Sequence, residues 1–408
     1  MSVQPIGDQL GQTPFILGES FYQDPHAVYA ELRRRGAVHR VRIWGEVDVW
    51  MVTSYAEARR LLTDPRLKKH GPTASSLFPP STTTIGSVVG DNMLFRDPPD
   101  HTRLRRLVTA AFTAHAVRAL RPAIEGVADD LLDALSRQVP GRVDLMQSFA
   151  QPLPLRVISE LLGVPEESRE RFCSLMLPIL DTSAPDEMYR AQQELTLLLQ
   201  SIVAAKRTEP VRDMLGHLVN LRDDGDRLTE EELLGTVFLL IVAGYETTVN
   251  LIANGVLALL RNPTQLAAVR ADRSLIPSAI EEMLRFDSPL NTATARFTAE
   301  PVRVGDIEIP SRELVIIALL GANHDDAQFD QPDSFDVFRT DNRHLAFGHG
   351  IHHCLGAPLA RMEGEIALNA LLSRFSHIAL AADEPLTYRP STLMRGLVSL
   401  PVDIGDHR

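Results

Sequence analysis

A mainly α-helical fold with a minor β portion is predicted by three observations. Apolar residues recur at the helical period from Asp100 to about Ser373, one stretch within that span is apolar on every face, and strand-like runs are few and short. Taken in order, Asp24-Pro25 caps and starts a helix that runs to Gly36. Val38 to Ile43 and Val47 to Thr53 read as strands, and Tyr55 to Leu62 as a helix that stops before Asp64-Pro65. Residues 70–95 are rich in Ser, Thr, Pro and Gly and read as a long loop of the kind that is functional or disordered in a compact protein. The helical span that follows is interrupted at Pro-Leu-Pro 152–154, Gly163-Val164-Pro165 and Ala184-Pro185. Its clearest member opens with Thr229 and Glu232, a capping box, and continues to about Leu260 with too little polarity for a surface helix. Ala293 to Leu319 and Tyr388 to Val402 supply further short strands.

Composition bounds the function. The chain has 408 residues, 44% hydrophobic and 23% charged, an ordinary globular balance. Nothing from residue 20 to 405 reads as a linker, low-complexity segment or repeat, so a single domain over 1–408 is expected, with 1–19 a flexible lead-in. A net charge of −12 argues against nucleic acid as a partner, because such binding rests on Lys and Arg. The first residues lack the basic start and apolar stretch of a signal peptide, and the apolar run Val237 to Ala243 falls far short of the ~20 residues that span a bilayer. Two cysteines, Cys173 and Cys354, make no disulfide framework. The expectation is a cytoplasmic protein with no membrane partner.

The chemistry concentrates in Phe347-Gly348-His349-Gly350-Ile351-His352-His353-Cys354-Leu355-Gly356. Cys354 stands where a helix over Leu355 to Leu372 begins, a position that lowers a thiol pKa. Gly348, Gly350 and Gly356 let backbone pass close to a flat ligand, and backbone N–H groups there can tune a sulfur. Zinc on the three histidines and Cys354 is a rival, weakened by the lack of a second ligand pair elsewhere.

On the long helix, Ala243-Gly244-Tyr245-Glu246-Thr247-Thr248 places an acid and an alcohol in an apolar wall. Thr247 is spaced to bond the carbonyl of Ala243 and open a groove, and an acid and a hydroxyl beside such a groove can deliver protons. Glu282 and Arg285 are three apart on one helix face. Asp97-Pro98-Pro99-Asp100 starts a helix on which His101 and Arg105 share a face, suited to an anion.

These segments together resemble the cytochrome P450 family from about residue 20 to 405. The ten-residue stretch matches the haem-binding signature Phe-Gly-x-Gly-x-His-x-Cys-x-Gly, and 243–247 matches Ala-Gly-x-(Asp/Glu)-Thr. The resemblance implies the P450 fold, one large helical domain with haem between the long central helix and the Cys-ligand helix. It implies a mono-oxygenase, an oxidoreductase holding haem b with Cys354 as its iron ligand. Phe347, Gly348, Gly356 and Ala243 would line the haem, and His101, Arg105, Arg296 and His352 would lie at its propionates. Glu246 and Thr247 become the catalytic residues that feed protons to dioxygen, while Glu282 and Arg285 are structural.

The substrate pocket, on the same resemblance, draws on Val88, Met93 and Leu94, on Leu239 and Val242, and on Leu290, Asn291, Thr292, Thr294, Leu393 and Met394. Two departures from the family pattern occur upstream of the haem loop: Asp326 stands where Pro is usual, and Ser334 where Arg often joins the Glu-x-x-Arg network, a gap Arg339 or water can fill. The soluble bacterial type implies a monomer that takes electrons from NAD(P)H through a ferredoxin reductase and a 2Fe-2S, 3Fe-4S or 4Fe-4S ferredoxin. Arg103, Arg106, Arg343 and His344 flank the haem-binding segments and are candidates for its docking face, with an ordinary solvated face as the alternative. The expected reaction is hydroxylation or epoxidation of a small apolar molecule. The sequence looks most like actinomycete macrolide- and polyketide-tailoring members, with antibiotic biosynthesis as the context. Steroid or terpenoid hydroxylation, peroxide-driven turnover, oxidative coupling and a haem sensor without oxygenase activity stand as alternatives.

Overall fold

Short-range rules account for most element boundaries. In the computed structural model, which describes residues 13–44, 46–78, 92–137, 141–180, 185–208, 213–220, 227–381 and 385–407, helix Pro25–Arg35 begins with Pro at its first position. Asp24 Oδ1 accepts the Ala27 N–H, and Arg33 to Arg35 face the negative end of the helix dipole. The longest helix, Glu230–Arg261, begins as its capping box requires: Glu232 Oε2 accepts the Thr229 N–H at 2.9 Å and Thr229 Oγ1 accepts the Glu232 N–H at 3.2 Å. It stops at Asn262-Pro263, where the residue before proline leaves the α region. This helix is long and apolar enough to cross a membrane, but 72% of its most apolar window is buried inside the protein, as a core helix requires.

The described residues form two compact units. The first comprises 1–80, 257–354 and 384–398. It holds a six-stranded sheet ordered Phe15–Ile16, Val38–Ile43, Val47–Val52, Leu314–Ile317, Arg296–Thr298, Leu67–Lys68. The expected lead-in 1–19 lies outside the described residues as far as 12. Beyond that, Phe15 and Ile16 pair in parallel with Val41 and Arg42, and a helix starts at Glu19. Val38–Ile43 and Val47–Val52 form an antiparallel pair, and Trp50 to Val52 pair in parallel with Val315 to Ile317. Apolar side chains pack on both faces of the sheet: Val38, Trp50, Val315 and Ile317 on one, Val41, Met51, Leu314 and Ile316 on the other.

The second unit comprises 81–256, 355–383 and 399–408. Helix Arg121–Ser136 packs against Ala357–Arg374 and Pro152–Leu161, and Glu166–Leu180 against Pro185–Thr208. A three-stranded antiparallel sheet orders Phe375–Leu380, Pro401–His407 and Gly141–Asp144. A mainly helical architecture with a smaller sheet portion is what the periodicity predicts.

Candidate active site

In the first unit, backbone hydrogen bonds shape the loop around Cys354. The Cys354 N–H donates to the Phe347 carbonyl at 2.9 Å, His353 N–H to Gly350 O at 3.0 Å, and Gly348 N–H to Leu345 O at 2.8 Å. Gly348 and Gly350 hold φ of +70° and +76°, and a Cβ at Gly350 would lie 2.9 Å from Thr63 Cγ2 and 3.0 Å from the Leu62 carbonyl oxygen. Only glycine fits there. Cys354 is exposed and in no disulfide, His352 and Phe347 are half-buried, and the next helix opens at Ala357 with Gly356 as its cap.

Glu282 and Arg285 are buried to 0% exposure and joined by two 2.8 Å bonds. Arg285 also donates to the carbonyls of Asn323, Pro332 and Ser334. Where the family's arginine is absent at Ser334, Arg339 Nε reaches Glu282 Oε2 at 3.2 Å, and Asn342 Nδ2 joins it at 3.1 Å. Asn323, which the sequence did not single out, ties this network to the haem loop, since its Oδ1 accepts the Leu345 N–H at 2.7 Å.

Arg296, on its strand, is 4% exposed and donates to the Thr294 carbonyl at 3.4 Å, while Lys69, 2% exposed, donates to the Thr294 hydroxyl. Two buried cations therefore converge on one threonine. Lys69 lies just before what reads as a loop, and its sequence carries no sign of burial. The expected docking cations are partly engaged elsewhere. Arg343 bonds Asp341, and His344 is buried with a side chain 3% exposed, so His344 cannot belong to a surface face.

In the second unit, Thr247 Oγ1 donates to the Ala243 carbonyl at 2.5 Å, as the spacing predicts, and Thr248 Oγ1 to Gly244 O at 2.9 Å. On this buried helix Leu240, Ala243, Gly244 and Thr247 keep accessible surface, an i, i+3, i+4, i+7 stripe. Glu246 is half-buried beside it. His101 is 2% exposed and Arg105 half-buried, one turn apart on helix Asp100–Ala111. Arg103 bonds Glu232.

The expected pocket residues divide. Leu94, Leu290, Thr294 and Leu393 keep accessible surface, and Val88 lies outside the described residues. Leu239 and Val242 are 6% and 3% exposed, turned off the stripe that Leu240 occupies. Met93, Thr292 and Met394 are buried. Asn291, 1% exposed, is a tie: its Nδ2 donates to the Ser391 and Met394 carbonyls at 3.2 and 3.1 Å, so its amide clips two chain segments together.

Haem requires a thiolate donor, cations for two carboxylates and backbone that lets a flat ring approach. In the first unit an exposed thiol in a glycine loop fits the iron donor and buried Arg296 a carboxylate; in the second, His101 and Arg105 fit a carboxylate and the accessible Ala243-Gly244 stripe fits a flat ring.

The family described as Cytochrome P450 matches residues 15–176 and 168–403. Cytochrome P450 107B1 of Saccharopolyspora erythraea is 47% identical over 404 residues, covering 97% of this chain and 99% of its own. The 6-deoxyerythronolide B hydroxylase of the same organism is 42% identical over 400 residues, covering 95% and 98%. Among solved structures, the tirandamycin C-bound P450 monooxygenase TamI superposes with a TM-score of 0.88 at 44% identity, covering 96% of this chain and 100% of that one. The chain belongs to the cytochrome P450 family and is a mono-oxygenase, a haem oxidoreductase that works with dioxygen, a redox partner and a small-molecule substrate.

Proposed function

We propose that this enzyme hydroxylates a largely apolar macrolide or other polyketide, taking electrons from NAD(P)H through a ferredoxin reductase and a ferredoxin. One oxygen atom enters the substrate and the other leaves as water, at a cost of two electrons and two protons. Cys354 would bind the iron, with Phe347, Gly348, Gly356 and Ala243 against the ring and His101, Arg105, Arg296 and His352 on its propionates. The haem supplies oxygen activation, favoured by electron donation from a thiolate; the remaining work falls to this chain's side chains. The hydroxyl of Thr247, anchored on the Ala243 carbonyl, turns one oxygen toward the accessible stripe as an acceptor and proton carrier. Glu246, the preceding residue on the same helix, would be the acid that exchanges protons with water.

Leu240, Leu290 and Leu393 would exclude water and hold the substrate by area rather than by charge. The names of the hydroxylase and of TamI's bound tirandamycin C support the substrate class. We read the chain as one domain, because its backbone passes repeatedly between the two units, once within helix Glu230–Arg261, and as a monomeric, cytoplasmic protein because the family resemblance implies it.

The observation that carries the mechanism is the Thr247–Ala243 bond at 2.5 Å. The test begins by titrating the ferric holoprotein with macrolactones, other polyketides, steroids, terpenoids and fatty acids until one raises the spin state. With that compound, Thr247→Ala should consume NAD(P)H while product per NAD(P)H falls roughly tenfold. Coupling as tight as the parent's would overturn the proton role, and a spin shift from steroids alone would overturn the substrate class.

A further inference from the structure

Glu281 directly precedes the Glu282–Arg285 pair on helix Ile276–Phe286, but its carboxylate, 30% exposed, points elsewhere. It meets His344, whose Nε2 lies 3.2 Å from Glu281 Oε2. At the opposite side of the ring, His344 Nδ1 lies 3.2 Å from the backbone nitrogen of Ala346. A backbone N–H can only donate, so Nδ1 carries the lone pair and the ring proton sits on Nε2, aimed at the carboxylate. Tautomer and orientation are thus fixed from both ends. The imidazole is 3% exposed and stands 6.0 Å, centroid to centroid, from the Phe347 ring at 49°. Phe347 in turn supplies the carbonyl that receives the Cys354 N–H at 2.9 Å.

We propose that Glu281 and His344 are a positioning pair for the cysteine loop, holding Ala346 and Phe347 so that the Cys354 N–H stays aimed at the Phe347 carbonyl. The inference rests on reading Cys354 as the iron ligand. Two other connections hold the loop further upstream: Glu282 through Asn342, and Arg285 through Asn323 to the Leu345 N–H. The His344 ring is the last side-chain anchor among these before Phe347. Its loss therefore leaves the loop attached but lets Phe347 shift, which re-aims the N–H groups near the sulfur. Outer-sphere partners of this kind set both the retention of the ligand and the potential of the metal.

The test uses the holoenzyme. In His344→Leu and in Glu281→Ala, the ferrous–carbon monoxide complex should lose its thiolate absorption about tenfold faster than in the parent, with a shifted midpoint potential. Glu281→Gln keeps an acceptor for the Nε2 proton, and His344→Asn keeps an acceptor for the N–H two residues on. Both should fall between the parent and the first two variants, a graded rescue that loss of packing alone does not produce. Glu281 is partly exposed, so its variants carry the test if His344→Leu fails to fold. Parent-like decay and potential in Glu281→Ala would overturn the proposal. A parent enzyme with no thiolate absorption would overturn the assignment of Cys354 itself and this inference with it.

Discussion

Glu282 and Glu363 are carboxyls sealed to nearly the same degree, 0% and 3% exposed, each on a helix, one in each unit. Glu282 is surrounded by donors: Arg285 Nε and Nη2, Arg339 Nε, Asn342 Nδ2 and the Asp336 N–H, all within 3.2 Å. Glu363 has an oxygen with no hydrogen-bond partner among the described residues, and burial alone pushes its pKa up to about 8. The difference lies in what replaces water. Where guanidinium and amide groups replace it, a buried charge is tolerated; where a carboxyl oxygen is left without a donor, the group keeps its proton. Equal burial thus produces a structural hub at one site and a neutral acid at the other.

The sharpest way to break this comparison is to make the first site like the second. Arg285→Ala removes the bidentate partner and leaves Glu282 buried with weaker donors, which should cost about 3–5 kcal/mol. That is a large part of a typical folding free energy, so the yield of haem-loaded protein should collapse, and Arg285→Lys, with the charge but not the fork, should recover part of it. Denaturation of whatever holoprotein accumulates provides the measurement. A loss under about 1 kcal/mol would mean that Glu282 does not need its guanidinium.

The converse change should give a smaller effect, with a pH signature. In the unfolded chain Glu363 ionises near its ordinary value of 4.5, whereas in the fold it holds its proton to about 8. Below 4.5 it is neutral in both states and costs nothing as a charge. As pH rises toward 8 the unfolded state alone gives up its proton, so stability is lost across that window. Glu363→Gln removes the titration. Its stability relative to the parent should therefore rise by roughly 3 kcal/mol between pH 4 and pH 7, whatever constant penalty the amide adds. A flat difference across that range would show that Glu363 is solvated in the fold.

How far each site was legible follows from the range of the interactions. Glu282 and Arg285 lie three residues apart, and Thr247 lies four from Ala243, so helix geometry alone makes both pairs readable. The cysteine loop is contiguous and carries its own glycines. Glu363 was not legible: Arg-Met-Glu-Gly-Glu reads as an exposed stretch, and burial comes from helices distant in sequence. Leu239 was chosen where Leu240 holds the accessible position, because one residue turns a helical side chain by about 100° and sequence fixes the phase only to the nearest neighbour. His344 was read as surface charge because its partner, Glu281, is 63 residues away. Helix ends fell within a few residues of expectation through caps and prolines. Strand order, with Phe15 beside Val41 and Trp50 beside Val315, rests on pairings that no local pattern contains.

The smallest expected effect tests whether Glu282 is satisfied by the sum of its donors or by Arg285 alone. Arg339 reaches the same carboxylate at 3.2 Å with a side chain 10% exposed, and it also donates to the carbonyls of Asp330, Gln331 and Ser334. Arg339→Ala leaves the fork from Arg285, the Asn342 amide and the Asp336 N–H in place. Water can also reach the vacated edge more easily than it reaches a site at 0% exposure. The three carbonyls lie at the exposed edge, where water replaces the lost donor. The cost should therefore be mainly that of the one charge-assisted bond to Glu282, about 1.5–3 kcal/mol, and the variant should still load haem. In Arg339→Ala/Arg285→Ala the two losses should exceed their sum, because the second removal strands a charge that the first leaves compensated. Strict additivity in that double-mutant cycle would mean that the two arginines act on Glu282 independently, and the hub would then be a set of separate bonds rather than one solvation shell.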